Sequence, residues 1–189
     1  GNSMDIDMTL NVRPNADFQL VIDPTVGDII KGRGEGTLNL HINPRSNVFE
    51  MYGDYTITEG SYLFTLQNII NKRFIIENGS TIQWTGEPLD ARLNINAVYK
   101  LKTSLQPLIG TSVSSGGGDM NLNRAVPVEC IINLSDRLTH PTVTFDVKVP
   151  TADAEYQTII ANTLNTQSAI AEQFMFLLVT NSFRSDTSG

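Results

Sequence analysis

The sequence is poor in the residues that several classes of protein need. Its 189 residues include a single cysteine, Cys130, so an intramolecular disulfide is impossible. Thirteen Lys and Arg stand against twenty Asp and Glu, which gives a formal net charge of −7. Nucleic-acid binding and polybasic membrane attachment both need clustered basic residues, so this composition argues against both. The longest unbroken apolar run, Phe174–Val179, is far shorter than the roughly 18–20 residues of a membrane-spanning helix.

The sequence also offers few residues for catalysis. His41 lies within an alternating segment and His140 just before another, and neither has a sequence neighbour that completes a metal pair or a base–nucleophile unit. The Gly-rich segment Lys31–Gly36 resembles a phosphate loop, but it leads into a strand and not a helix, so it indicates a strand start or a bulge. Cys130 alternates with apolar residues and is expected in the core. We therefore expect no catalytic residue, no cofactor and no metal site.

What the sequence has in quantity is strict alternation of apolar and polar residues. From Leu89 to Leu101 every second residue is apolar, and all but one of the residues between them are polar. This pattern is typical of a β-strand with one dry face and one wet face. Thirteen residues at ~3.3 Å each span roughly 40 Å, whereas a usual strand has about 5–6 residues.

The same period runs from Asp5 to Val149 and predicts about ten strands. Short links rich in Asn, Gly and Ser, such as Ile57–Ser61 and Glu77–Ser80, are predicted to be turns. Because several of these links are too short to hold a crossover helix, neighbouring strands are expected to pair antiparallel. The Gly- and Ser-rich segment Gly110–Arg124 has little to bury and is predicted to be a mobile loop.

The period changes after Pro150 and predicts two helices. Thr151 is the expected N-cap of the first helix, and the second is predicted from Ser168 to Ser182. One face of the second helix is apolar and consists of Ile170, Phe174, Leu177 and Leu178. The predicted organisation is a cloning remnant at residues 1–4, a β domain at 5–150, a helical segment at 151–183 and a tail at 184–189.

An extended sheet with one apolar side must cover that side. Two sheets can pack face to face as a sandwich, which is the commonest solution, or the sheet can close into a barrel. Alternatively, long curved antiparallel strands can form an open trough whose inner wall is left for a guest, and the unusual strand length favours this third form. The predicted wall residues of such a lipid groove are Phe64, Phe74, Ile82, Trp84, Leu89, Leu93, Ile95, Ala97 and Tyr99.

The middle of the chain, Tyr52–Leu101, resembles the C-terminal domain of the TamB family. The family pattern is a G-x-Y strand, a turn glycine, an aromatic strand, a Phe-Ile strand, a second turn glycine, an Ile-x-Trp-x-Gly strand and a Pro-Leu strand ending in Ala-x-Tyr. In this chain the pattern falls on Gly53, Tyr55, Gly60, Tyr62, Phe64, Phe74, Ile76, Gly79, Ile82, Trp84, Gly86, Pro88, Leu89, Ala97 and Tyr99. No single element is specific, but the ordered set over fifty residues is.

This resemblance implies a fold, a location and partners. It implies a β-taco, a trough of long curved strands with an apolar interior, in a periplasmic protein that is anchored in the inner membrane by a segment outside this chain. Phospholipid acyl chains are the implied cargo, as in AsmA-like bridge-type lipid-transfer proteins, and an outer-membrane barrel of the TamA type is the implied partner. Better-known members end in strands near that barrel, whereas this chain is predicted to end in two helices.

Three functions remain open at this point. The first is a non-enzymatic conduit in which acyl chains slide along the apolar wall toward the outer membrane. The second is an assembly module that captures a strand of an unfolded outer-membrane β-barrel or autotransporter protein. The third is a β-sandwich domain for adhesion or sugar binding, which would have a closed core and binding residues on its surface loops.

Overall fold

The computed structural model describes residues 4–23, 28–113 and 121–185. Within them lie the strands β1 (Ile6–Val12), β2 (Asp17–Asp23), β3 (Asp28–Asn43), β4 (Val48–Leu66), β5 (Ile70–Ile76), β6 (Ser80–Gly86), β7 (Arg92–Ser104), β8 (Ala125–Arg137) and β9 (His140–Lys148). The helices are α1 (Gln106–Ile109), α2 (Ala154–Thr163) and α3 (Gln167–Thr180). The prediction of a mainly β protein with antiparallel strands and two C-terminal helices is confirmed.

The strands form one sheet in the order β1-β3-β4-β5-β7-β8-β9. The long strand β3 pairs with β1 and β2 in succession, and the long strand β4 pairs likewise with β5 and β6. All of these pairings are antiparallel, as the short links predicted. The link Glu77–Ser80 is a turn, and its Gly79 has a φ of 98°, a conformation that favours glycine.

One predicted turn is wrong, because β4 runs straight through Ile57–Ser61. Gly34 of β3 pairs with Ile57 and Arg33 pairs with Glu59, so Thr58 is an extra residue that forms a β-bulge. The bulge shifts the alternation by one residue, and the sequence pattern therefore looks like two strands separated by a turn. The Gly-rich segment Lys31–Gly36 lies opposite this bulge in the interior of β3, and so it is neither a strand start nor the bulged strand.

The predicted long strand begins later than expected. Pro88 starts a single 3-10 turn, Pro88–Asp90, and β7 starts at Arg92 instead of Leu89. Proline fixes its own φ and lacks an N–H donor, so it suits the first position of such a turn and not a paired strand. Leu89, expected on the apolar wall of a strand, is 64% exposed on this turn.

The chain divides into two compact units, here called unit 1 (residues 1–97 and 133–144) and unit 2 (residues 98–132 and 145–189). The core of unit 1 contains the rings of Tyr62, Phe64 and Phe74, and the centroids of the last two rings lie 6.1 Å apart, edge to face. The buried carboxylate of Asp28 accepts hydrogen bonds from the Tyr62 hydroxyl at 2.5 Å and from the backbone N–H of Thr65 at 3.1 Å.

In unit 2 the two C-terminal helices are capped by side chains. Asp153, and not Thr151, is the N-cap of α2, because its carboxylate accepts from the backbone N–H of Tyr156 at 3.0 Å. Thr166 caps α3 by accepting from the N–H of Ala169 at 3.0 Å. Phe174 of α3 is fully buried and stacks on Phe145 of β9 at 4.5 Å between ring centroids.

Several predicted segments lie wholly or partly outside the described residues. The predicted loop Gly110–Arg124 includes residues 114–120, the predicted remnant includes residues 1–3, and the predicted tail includes residues 186–189, none of which the structure describes. These assignments, like the domain boundaries, stay predictions. Among the residues that are described, no helix combines the length and the hydropathy needed to cross a membrane.

Candidate functional site: an open apolar sheet face

An apolar face extends across four strands of unit 1. We define this apolar face by the side chains of Ile6, Met8, Leu10, Val12, Leu38, Leu40, Ile42, Phe49, Met51, Tyr55, Ile82 and Trp84. Directly paired residues of antiparallel strands point to the same side of a sheet. The pairings therefore place these side chains in rows, of which Met8, Leu40 and Met51 form one. Alternation along each strand thus becomes a continuous apolar surface across β1, β3, β4 and β6.

Glycine contributes to this surface by keeping two strands close. Gly53 stands in the row of Leu10, Leu38 and Trp84. Its φ is 136°, and a Cβ added there would lie 2.3 Å from the carbonyl oxygen of Thr37. A side chain at this position would be strained and would push β4 away from β3.

The apolar face is sealed at one end and open at the other. Leu38, Tyr55 and Ile82 are 5%, 6% and 1% exposed, whereas Met8 and Leu10 are 48% and 51% exposed. An exposed apolar patch of this kind is typical of a surface that binds a partner, a membrane or a ligand. Such a surface can bind a ligand by removing apolar groups from water and by close packing, without making or breaking a covalent bond.

The opposite side of the same strands is polar and hydrogen-bonded across the sheet. The Thr9 hydroxyl donates to the Asn39 side-chain carbonyl at 3.0 Å, and the Thr37 hydroxyl donates to that of Asn11 at 3.0 Å. One side of this part of the sheet therefore suits water, and the other suits a hydrocarbon.

His41 on this polar side is expected to titrate at a raised pH. Its Nδ1 lies 2.7 Å from a carboxylate oxygen of Asp7, and this hydrogen bond raises the pKa of the His41 imidazole above its ordinary value. Since the folded-state pKa is raised, the stabilisation is present below the unfolded pKa of about 6.5 and is lost as the pH rises through the folded value. A titration of the imidazole by NMR should give a midpoint above about 6.5, and Asp7→Asn should lower it. A midpoint unchanged by that substitution would show that Asp7 is not the cause.

A pocket of about 200 Å³ continues the sealed end of the apolar face toward β2. Its lining consists of Val12, Ala16, Asp17, Phe18, Leu20, Leu38, Tyr55, Ile82 and Trp84. The rings of Phe18 and Tyr55 meet edge to face at 5.3 Å. The indole N–H of Trp84 donates to the carbonyl oxygen of Pro88 at 3.0 Å, which fixes the ring while leaving it half-buried.

The nine predicted wall residues differ in how far they are exposed. Six are buried in the core: Phe64, Phe74, Ile82, Leu93, Ile95 and Ala97. Trp84 and Tyr99 are half-buried, and Leu89 is exposed on its turn. Of the nine, Ile82 and Trp84 line the pocket.

Sequence reasoning missed the open part of the apolar face, which depends on residues of β1 and on Phe49 of β4. These residues show the same alternation as β7. The signal that could have found them is the matching of apolar positions across β1, β3 and β4, since register and not strand length places side chains in rows.

The titratable groups of the described residues meet in ion pairs, such as those of His41 with Asp7 and of Arg33 with Asp17. Among these residues, no group of three or more His, Cys, Asp and Glu side chains could hold a metal ion. Cys130 is fully buried in unit 2, and burial raises the pKa of its thiol to about 12, so the thiolate is scarce at neutral pH. This confirms the prediction that Cys130 is a core residue.

Comparison with models of protein families relates this chain to a known family. The family model described as the TamB C-terminal domain matches residues 2–189, nearly the whole chain. No curated protein matches it.

Proposed function

The chain belongs to the TamB C-terminal domain family, and from this premise we propose that its apolar face carries phospholipid acyl chains toward the outer membrane. Proteins of this family act in outer-membrane assembly, are periplasmic with an inner-membrane anchor, and are expected to interact with an outer-membrane partner of the TamA type. The proposed role is non-enzymatic: tails lie on the apolar face while headgroups stay in water.

The observation that carries this proposal is the half-exposed state of the apolar side chains at the open end. Met8, Leu10 and Phe49 are each between 45% and 51% exposed, and the row of Leu10 continues to the buried Leu38. At ~25 cal/mol per Å², an acyl chain that covers about 400 Å² of apolar surface gains on the order of 10 kcal/mol before entropy losses. The gain is non-directional, so a tail can move along the face without a specific bond to break.

The test is a charged substitution at the open end. Met8→Glu combined with Leu10→Glu is expected to weaken phospholipid binding by about 10- to 100-fold, because covering the exposed halves of the two side chains contributes about 1.5–3 kcal/mol together and a carboxylate resists desolvation. Because both residues are about half exposed, the fold should tolerate the change. The measurement is transfer of a fluorescent phospholipid between vesicles, together with native mass spectrometry of lipid that copurifies.

Val21→Glu is the matched control. Val21 is 49% exposed, like Met8, but it alternates with Leu20 and Ile22 and so points to the other side of the sheet. The control protein should bind and transfer lipid like the unmodified chain. Equal transfer by the double variant and the control would contradict the proposal.

The position of β1 favours a second candidate, strand capture during the assembly of outer-membrane proteins. β1 is the first strand in the sheet order, and in the described part of the chain it pairs with β3 alone. A strand at a sheet edge has backbone groups that an added strand can pair with. This candidate predicts that crosslinking from β1 captures an extended polypeptide in place of lipid.

A further inference from the structure

The turn between β4 and β5 has an apolar side chain at each of its two corners. Leu66 and Ile69 are 36% and 70% exposed, and Ile69 is the most exposed large apolar side chain of the described residues. Turns are ordinarily built from Gly, Pro, Asn, Asp and Ser, which suit water. The apolar corners at the end of this hairpin are therefore unusual for a turn, and most of the Ile69 side chain is open to contact.

The end of the hairpin is held in a fixed conformation. The backbone N–H of Ile69 donates to the carbonyl oxygen of Leu66 at 2.9 Å, and the two residues between them have φ values of 48° and 59°, both positive as in a type I′ turn. At the base of the turn, the buried carboxylate of Asp28 accepts from the N–H and from the hydroxyl of Thr65, at 3.1 and 2.9 Å. Because the turn is preformed, binding at its corners costs little conformational entropy.

The same hairpin is basic in an acidic chain. The paired part of β4 and β5 covers residues 60–76, and this stretch contains Lys72 and Arg73 but no Asp or Glu. Its formal charge is therefore +2, whereas that of the whole chain is −7. Arg73 is exposed, and its Nη1 donates to the hydroxyl oxygen of Ser61 at 3.1 Å. The apolar corners thus stand next to a region that attracts anions.

We propose that this end of the hairpin docks on an anionic phospholipid bilayer, with its apolar corners among the lipids and its two basic side chains beside the lipid phosphates. Apolar elements at a membrane surface are buried about 5–10 Å deep. Lys72 and Arg73 lie roughly 10–14 Å behind Ile69 along β5 at ~3.4 Å per residue, and their long side chains can reach the phosphates.

Both parts of the hairpin end are needed for this contact. Two cations are too few for a polybasic membrane site, so the apolar corners must contribute as well. A second copy of the chain fits worse than a bilayer, because it would bring two basic ends together. The inference does not depend on the proposed function, since the apolar face consists of other residues.

The test is cosedimentation of the purified chain with vesicles of phosphatidylcholine alone and with vesicles that also contain the anionic lipid phosphatidylglycerol. The unmodified chain should bind the anionic vesicles about 10- to 30-fold more tightly, because each basic residue near such a surface contributes roughly a factor of five. Arg73→Gln should lower this preference about fivefold. Ile69→Gln should weaken binding to both kinds of vesicle by about 5- to 20-fold, because less apolar surface leaves water.

Ile75→Gln is the matched control. Ile75 is the same type of residue on the same strand and is 61% exposed, but it pairs with Ser61 at a distance from the turn. Its substitution should leave binding to both kinds of vesicle unchanged.

An equal loss of binding in Ile69→Gln and Ile75→Gln would overturn the inference, as would equal binding of both kinds of vesicle by the unmodified chain. Dissociation of a dimer by Ile69→Gln in analytical ultracentrifugation would also overturn it, because a second copy would then be what covers the turn. The comparison of the two kinds of vesicle needs no variant, so the inference stays testable if a variant fails to fold.

Discussion

Ile95→Arg is expected to unfold unit 1, with a loss of more than about 4 kcal/mol in the free energy of unfolding. Ile95 lies in β7 and is fully buried. A guanidinium there would lose its hydration without gaining a partner. The free energy of unfolding of a typical domain is only about 5–15 kcal/mol. Urea denaturation followed by circular dichroism measures the effect.

Asn94→Arg is the control for this variant, since it places the same side chain one residue away on the exposed side of β7. It should change the free energy of unfolding by less than about 0.5 kcal/mol. A stably folded Ile95→Arg protein would mean that the buried wall can open. In that case the predicted groove residues of β5–β7 would be accessible to lipid after all.

Phe174→Ala is expected to cost about 3–5 kcal/mol in the stability of unit 2. Phe174 is fully buried, and its ring stacks on that of Phe145 at 4.5 Å between centroids. Truncation removes this contact and leaves a cavity the size of a ring. Thermal unfolding of the purified protein gives the change, and hydrogen exchange of the α3 amides shows whether the loss is local to the helix.

Val179→Ala on the same helix is the matched control, because Val179 is 53% exposed. Its expected effect is below about 0.5 kcal/mol. A similar small effect at Phe174 would contradict the view that α3 is held by packing inside unit 2. It would favour a helix whose apolar side chains serve another protein.

Much of the fold follows from alternation alone. The period of two in β1, β3 and β7 comes from the geometry of an extended chain, and the short polar links imply antiparallel pairing. Cys130 was expected in the core because it keeps step with apolar neighbours, and it is buried. Phe174 was placed on the apolar face of the second helix, and it is buried as well. These features are local, so a single sequence contains them.

The predictions that were wrong lie where two local sequence patterns point to different structures. The extra residue Thr58 shifts the apolar–polar alternation of β4 by one residue. Gly60, two residues later, makes the segment resemble a turn. Asp153, and not Thr151, is the N-cap because α2 begins two residues later than the first capping residue in the sequence would place it. Pro88 interrupts an alternation that otherwise runs through Leu89.

The candidate site could be predicted only in part, because accessibility is not a local property. Ile95 and Leu10 both belong to alternating strands, yet one is fully buried and the other is 51% exposed. What separates them is which other side chains cover the row, and that depends on register and on tertiary packing. The exposed state of Ile69 at the end of its hairpin likewise depends on the surroundings of the side chain.

The most direct test of the proposed function is photocrosslinking from the apolar face of the protein in its cells. A photoreactive amino acid at Leu10 is compared with one at Asn11, which is also exposed but points to the polar side of β1. The account predicts that position 10 captures phospholipid and that position 11 captures much less. Equal capture from both positions, or polypeptide in place of lipid at position 10, would contradict it.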